Sequence, residues 1–224
     1  MSSLRTCRHA LRRGCCHQRT TTRCINVGAG ASGNEKKTTV HRHAHQANLK
    51  GVHPEHIYRI INDVDSYKDF LPYCNESKVL RTSDCGTMYD ALLGVGFPIP
   101  GHLMEERYVS RVRATPPSSD KNNIDKAEGM KPTWMVEAKS IRSSSFDSLK
   151  SRWVLTFAVG GDELKVNDRR RVDIGEDISC DVNFDVEIRV SNMLVSFVLD
   201  GVIGEVARKQ VEAFERRANE VPFR

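Results

Sequence analysis

Three histidines at alternate positions, His41, His43 and His45, are the first residues whose type and spacing could do chemistry. On an extended strand they share one face, and three imidazoles so spaced could ligate zinc. No neighbouring carboxylate in the sequence orients the rings, so a metal site is not expected and the stretch is taken as a solvent-facing strand edge or the end of a leader. Cys74, Cys85 and Cys180 lack the CxxC spacing of a structural metal site, and an odd number of them argues against a disulfide framework. Gly94-Val-Gly-Phe-Pro-Ile-Pro-Gly101 is not followed by GKS or GKT and is no phosphate loop; it predicts a loop that presents Phe97 and Ile99 to a membrane surface or tucks them inside. Arg169-Arg-Arg171 sits among acids and is taken as solvated surface. No Ser-His-Asp, Cys-His or dinucleotide pattern is present, so no catalytic residue, metal or cofactor is assigned.

Chemistry of the remaining kind, binding an apolar molecule, depends on elements that can enclose one. Residues 180–190 alternate without a break: Cys180, Val182, Phe184, Val186, Ile188 and Val190 fall on one face, with Asp181, Asn183, Asp185, Glu187 and Arg189 on the other. That period of two predicts a strand with one buried face. Ser191-Asn192 then offers cap chemistry, and residues 193–219, free of proline, take the helical period. On a helical wheel Val195, Leu199, Val202, Ile203, Val206, Ala213 and Phe214 form one stripe, broken by Gln210 near its middle. A curved antiparallel sheet gripping this helix is the expected core, and the space between them is the expected ligand cavity.

The formal net charge is +5, but residues 1–34 carry six arginines and no acid. Removing that +6 leaves residues 35–224 near −1, which gives no electrostatic case for nucleic acid. The basic, acid-free, Ser/Thr-containing start has the composition of a mitochondrial transit peptide, so residues 1–37 are expected to be a leader and residues 38–220 the folded domain. No stretch reaches the roughly 18–20 uninterrupted apolar residues of a membrane span.

Along the chain, a strand near residues 41–49 is followed by a helix opened by Pro54 and Glu55, with Ile57, Ile60, Ile61 and Val64 as its stripe. Ser66-x-x-Asp69 predicts a capping box for a second short turn that Pro72 ends. Strands are expected over residues 76–82, 87–95, 103–113, 133–141 and 150–159, with a turn at Ser83-Asp84-Cys85-Gly86 and a connection containing Ser143-Ser-Ser-Phe-Asp147. Residues 116–132 and 160–179 are polar surface insertions. The order β-α-α-β-β-β-β-β-β-α is an α+β fold.

Several local signatures fit one family. Val64-Asp-Ser-Tyr-Lys-Asp-Phe-Leu-Pro-Tyr-Cys74 with Ser77, Leu93-Gly-Val-Gly-Phe97, Glu106-Arg-Tyr-Val-Ser110, Trp153 and the helix from Gly204 to Arg217 together resemble the coenzyme Q-binding protein COQ10 family, within the START-like, polyketide-cyclase-like domains. Tyr73 stands where that family usually has Trp. The resemblance implies a helix-grip fold with an internal lipid cavity and a peripheral place on the matrix side of the mitochondrial inner membrane. It also implies binding of ubiquinone, its delivery or positioning for respiration, and support of its biosynthesis alongside respiratory or quinone-biosynthesis proteins, without catalysis. Expected quinone-contacting residues are Phe97, Trp153, Leu155, Phe184, Val186, Leu199, Val202, Ile203, Val206 and Gln210; Phe97 and Ile99 are expected to touch the membrane. The alternatives are a cyclase- or dehydratase-like enzyme using the same cavity, or a ribosome- or RNA-associated START-like protein.

Overall fold

The period-two stretch becomes β8 (Ser179–Val190), with Cys180, Val182, Phe184, Ile188 and Val190 buried on its inner face. A computed structural model describes residues 20–25, 38–99, 102–117, 132–158 and 178–223. The further strands are β1 (Thr20–Ile25), β2 (Thr39–Lys50), β3 (Cys74–Thr82), β4 (Met88–Ile99), β5 (His102–Thr115), β6 (Thr133–Arg142) and β7 (Ser148–Phe157). They form one antiparallel sheet in the order β1-β2-β8-β7-β6-β5-β4-β3. Consecutive strands from β3 to β8 pair with their neighbours, so residues 74–190 form a meander, and β2 closes on β8 from the other side.

Helix α3 (Met193–Glu220) lies across the inner face of this sheet. The Asn192 side chain accepts the amide protons of Leu194 and Val195, meeting two of the donors a helix start leaves open. Leu199, Ile203, Ala207, Val211, Phe214 and Ala218, three or four residues apart, are buried against the sheet and the short helices. Between β2 and β3 lie α1 (Pro54–Asn62), a 3-10 turn and α2 (Tyr67–Phe70). Pro54 stands at the first helical position, and the His53 ring Nδ1 accepts the Glu55 amide as the cap. His56 Nε2 is 3.0 Å from the carbonyl oxygen of Ala218, which ties α1 to the end of α3. Phe214 joins the layers: its ring centroid is 5.0 Å from Trp153, 5.4 Å from Tyr67 and 5.3 Å from Phe70. The architecture is the expected α+β helix grip, with the expected element order from β2 onward and one additional strand, β1, before it.

Several local expectations are revised. β4 runs to Ile99 and β5 begins at His102, with Phe97 opposite Met104 and Ile99 opposite His102, so the Gly- and Pro-punctuated stretch belongs to a hairpin rather than an irregular loop. Ladder pairing with β5 overrides the local Gly and Pro signals. Gly94 is needed for another reason: a Cβ there would lie 2.6 Å from Asn75 Oδ1 and 2.9 Å from Glu76 Cβ, so β3 could not approach. Ser66 caps nothing with its side chain; its hydroxyl donates back to Asp63.

His41, His43 and His45 are buried, not solvent-facing. Their face of β2 continues the inner face of β8, opposite Ile188, Val186 and Phe184, and α3 covers it. A carboxylate does reach them, from far away in sequence: His41 Nδ1 lies 2.9 Å from Asp200 Oδ1, and its Nε2 is hydrogen-bonded to Ser196 Oγ at 2.9 Å. Thr20–Ile25, within the stretch expected to be leader, pairs with β2. Most of the two expected insertions, including Arg169-Arg-Arg171, lies outside the described residues, as does the rest of residues 1–37.

Candidate functional site: a two-chambered cavity under the long helix

Where α3 crosses the sheet, not all of the interface is filled. Two cavities of about 110 and 140 Å³ adjoin, sharing Tyr67, Leu93, Tyr108, Leu149, Val186 and Gln210 as walls. The inner chamber lies over the middle of the sheet, between Tyr89, Ser110, Val112, Val136, Ser151, Trp153 and Phe184 below and Phe214 above. The outer chamber runs toward the start of α3, walled by Val195, Leu199, Val202, Ile203 and Val206 on the helix and by Leu71, Val95, Phe146 and Ile188 opposite.

The helix explains this division. Its most deeply buried positions, Ala207, Val211, Ala213 and Phe214, pack into the core, whereas Val195, Val202 and Val206 are only half-buried and line the outer chamber. Tyr73, on the outer chamber wall, has a left-handed backbone with φ of 66°, uncommon for a residue with a Cβ. Its carbonyl accepts the Gly96 amide, and Lys209 Nζ donates to its hydroxyl at 3.1 Å, joining the 71–74 turn to both β4 and α3.

Glu106 is buried at the edge of the outer chamber. Its carboxylate accepts from Ser143 Oγ and the Ser144 amide, both at 2.8 Å, from Ser144 Oγ at 2.9 Å, from the Ser145 amide at 3.3 Å and from the Ser145 hydroxyl. Burial alone would raise its pKa; the hydrogen bonds, led by Ser145, outweigh that and leave the carboxyl below its ordinary range. The three serines thereby hold the β6–β7 connection over the chamber, with Phe146 in its wall and 5.3 Å from the Tyr108 ring. Sequence reasoning noted both the serine run and Glu106 but did not connect them. The available signal was a run of hydroxyls in the β6–β7 connection beside an acid on the buried face of β5.

The inner chamber carries polar groups of another kind. Ser110 is 2 % exposed, and its Oγ has no hydrogen-bond partner among the described residues. Tyr108, Ser151 and Gln210 line the same space, and none of their side chains makes a hydrogen bond among the described residues. Tyr67 and Tyr89 differ: their hydroxyls donate to the Ile61 carbonyl and to Asn62 Oδ1. Burial first, then Cys74 and Glu106, raise the Tyr108 phenol well above its ordinary value, so it stays a neutral hydroxyl.

Of the residues expected to contact ligand, Trp153, Phe184, Val186 and Gln210 line the inner chamber, and Val186, Leu199, Val202, Ile203, Val206 and Gln210 line the outer one. Leu155 lines neither; it is fully buried in the core, one inward position beyond Trp153 on β7 and opposite Val182. The side chains of Phe97 and Ile99 lie outside the described residues. Among the described residues the most exposed large apolar side chains are at the start of α3, where Met193, Leu194 and Phe197 are 83, 78 and 80 % exposed.

Elsewhere, a wider groove of about 1050 Å³ crosses the outer face of the sheet, but charged side chains line it. Arg42 pairs there with Glu187, and Arg152 lies 3.6 Å from Glu137. Cys74 is held by its burial above the ordinary thiol range, and Cys180 is pushed up to about 12, so neither is an activated nucleophile. Cys85 is lowered to about 7 by hydrogen bonds from Ser83 and Thr87, but it sits in the exposed β3–β4 turn, outside both chambers. Among the described residues no cluster of His, Cys, Asp or Glu has metal-site geometry, and no helix is long and apolar enough to cross a membrane.

Residues 51–215 match the family described as polyketide cyclase/dehydrase and lipid transport. The chain is similar to the mitochondrial coenzyme Q-binding protein COQ10 homolog B of Xenopus laevis, at 28 % identity over 79 % of this chain. It spans 57 % of that relative's length. It is also similar to the ribosome association toxin RatA of Escherichia coli K12, at 22 % identity over 75 % of this chain and 80 % of that protein. Among solved structures, a STAR-related lipid transfer protein from Xanthomonas axonopodis superposes with a TM-score of 0.54 at 13 % identity, covering 88 % of this chain and 98 % of the other. That likeness establishes the START fold.

Proposed function

Since the chain belongs to the polyketide cyclase/dehydrase and lipid transport family, we propose that it is a non-catalytic carrier of ubiquinone or a related polyprenyl lipid. The observation that carries this reading is the pair of adjoining, mainly apolar chambers between α3 and the sheet. A cyclase or dehydrase in the same space would need an acid or base free to reach its substrate. The one carboxylate lining the chambers among the described residues, Glu106, is engaged by Ser143, Ser144 and Ser145. Sequestering a prenyl chain is sufficient work in itself, because each methylene kept from water is worth about 0.8 kcal/mol. Transfer from acyl chains into an apolar cavity is near neutral, so a carrier can lower the desorption barrier without tight binding.

The likeness to a mitochondrial coenzyme Q-binding protein supports a mitochondrial setting, and the basic, acid-free first 34 residues fit it. In this reading the protein docks peripherally on the matrix side of the inner membrane and supplies quinone to respiration and to quinone biosynthesis. Met193, Leu194 and Phe197, exposed on the turns that lead into the outer chamber, support contact with a lipid surface there. A role on the ribosome, whose association is in the name of the Escherichia coli relative, would call for a free basic surface if the contact were with RNA. On the outer face Arg81 and Arg111 share Asp90, and Arg42 and Arg189 share Glu187, so part of its positive charge is neutralised. Organic extraction of the purified full chain followed by mass spectrometry tests the carrier reading; a protein that retains no prenyl lipid contradicts it.

A further inference from the structure

The inner chamber differs from the outer one in a way that simple lipid sequestration does not require. Tyr108 and Ser110 stand two residues apart on β5 and so present the same face; Ser151 comes from β7 and Gln210 from α3. All four line one small volume; Ser110 is buried with its Oγ unpaired among the described residues, while the half-buried Tyr108, Ser151 and Gln210 make no side-chain hydrogen bond there. A buried hydroxyl left unpaired, as at Ser110, is costly, so native proteins leave few of them. Two strands and a helix delivering such groups to one place is the pattern of a preformed recognition site. Tyr108 and Gln210 stand on the wall shared with the outer chamber, whereas Ser110 and Ser151 belong to the inner one alone; beyond that shared wall the outer chamber's helical side is Val195, Leu199, Val202, Ile203 and Val206, and its carboxylate is turned to the serines.

Charge narrows the ligand further. No Lys, Arg or His lines either chamber among the described residues, and the single acid is Glu106. A phosphate or carboxylate brought inside would be desolvated without a counter-ion, which strongly disfavours it. Each chamber is also smaller than the roughly 300–1,000 Å³ of a site that encloses a drug-sized ligand, so a compact head and the first part of a chain fit while a longer chain must leave past the start of α3.

We infer that Tyr108, Ser110, Ser151 and Gln210 form a recognition site for an uncharged head group bearing hydrogen-bond acceptors, entered head first, with the apolar tail lying along Val202 and Val206 toward the first turns of α3. This rests on the carrier reading and adds to it a polarity of binding and a selection against phospholipids and fatty acids. Tyr108 and Ser110 donate O–H to acceptor oxygens of the head, and the Gln210 amide closes over it from the helix.

The test uses the full chain and decylubiquinone, whose approach to Trp153 in the inner chamber is followed by tryptophan fluorescence. Squalene, a hydrocarbon with no head, and palmitate, with an anionic one, serve as competitors. Tyr108→Phe, Ser110→Ala and Gln210→Leu each remove hydrogen-bonding capacity with little change of volume. Each is expected to weaken decylubiquinone binding by roughly 3- to 10-fold, the loss of about one hydrogen bond. Squalene should compete equally with all forms, palmitate with none, and thermal stability should hold or rise. Variants that bind decylubiquinone like the wild type overturn the head-group site, as do variants that lose squalene in parallel, palmitate competing as well as the quinone, or a lowered Tm in all three. A wild type that binds decylubiquinone and squalene alike without head discrimination leaves the carrier reading standing and removes only this site; one that binds neither removes both.

Discussion

The Glu106 carboxylate holds Ser144 twice, taking its amide proton on Oε1 at 2.8 Å and its hydroxyl on Oε2 at 2.9 Å. Residues 38 positions apart are thereby fastened at the edge of the outer chamber, and the β6–β7 connection that bears Phe146 is fixed over it. Replacing the acid by its amide exchanges an acceptor-only group for one with two acceptor lone pairs and two donors facing five donors. Glu106→Gln is expected to lower stability by about 1–3 kcal/mol and to raise hydrogen exchange at the Ser144 and Ser145 amides. Unchanged protection at those amides would show that the clamp does not hold the loop.

The buried imidazoles give a pH dependence. Burial lowers the pKa of His43; for His45 burial is the leading cause, with His43 and Arg208 adding to the lowering and Glu212 opposing it. His53 is lowered as well, again by burial first. Below the ordinary imidazole value of about 6.5, the unfolded chain takes up protons at these positions that the folded chain does not. Stability is therefore complete above that value and is lost as pH falls through it toward the depressed folded values. Tm measured between about pH 7.5 and about pH 5.5 should fall for the wild type and fall less steeply for His43→Gln/His45→Gln. Equal slopes would mean that the imidazole layer under α3 is protonated without cost.

Liposome binding separates the two apolar features near the outer chamber. Phe197 is 80 % exposed, so Phe197→Ser should reduce vesicle association several-fold while changing stability by less than about 0.5 kcal/mol. Phe97→Ser/Ile99→Ser at the β4–β5 hairpin is expected to weaken vesicle association too, and a large loss of Tm there would instead mark those side chains as core. Vesicle binding unaffected by Phe197→Ser removes the start of α3 from the lipid contact.

Much of this molecule was legible in its sequence because two periods are unusually clean. The alternation from Cys180 to Val190 and the stripe along α3 required a sheet face and a helix to meet, and Gln210 interrupting that stripe pointed into the space between them. What stayed hidden depended on partners remote in the chain. Nothing local to His41 shows that Asp200 and Ser196 will cover it, so a buried layer looks like a polar edge. Leu155 alternates in step with Trp153, yet which of the two faces a cavity depends on where α3 fails to fill the interface. Ser110 is an ordinary strand serine until its face of β5 is roofed by a helix.

If the space under α3 holds a prenyl quinone, a charge placed in its wall should empty it. Wild type and Val202→Asp are purified as full chains, extracted with organic solvent and assayed for bound lipid by mass spectrometry, with circular dichroism confirming that both are folded. An unpaired carboxylate on the outer chamber wall must be desolvated or protonated when ligand enters. The account predicts a prenyl quinone with the wild type and little or none with folded Val202→Asp. Equal quinone in both, or none in the wild type, would contradict it.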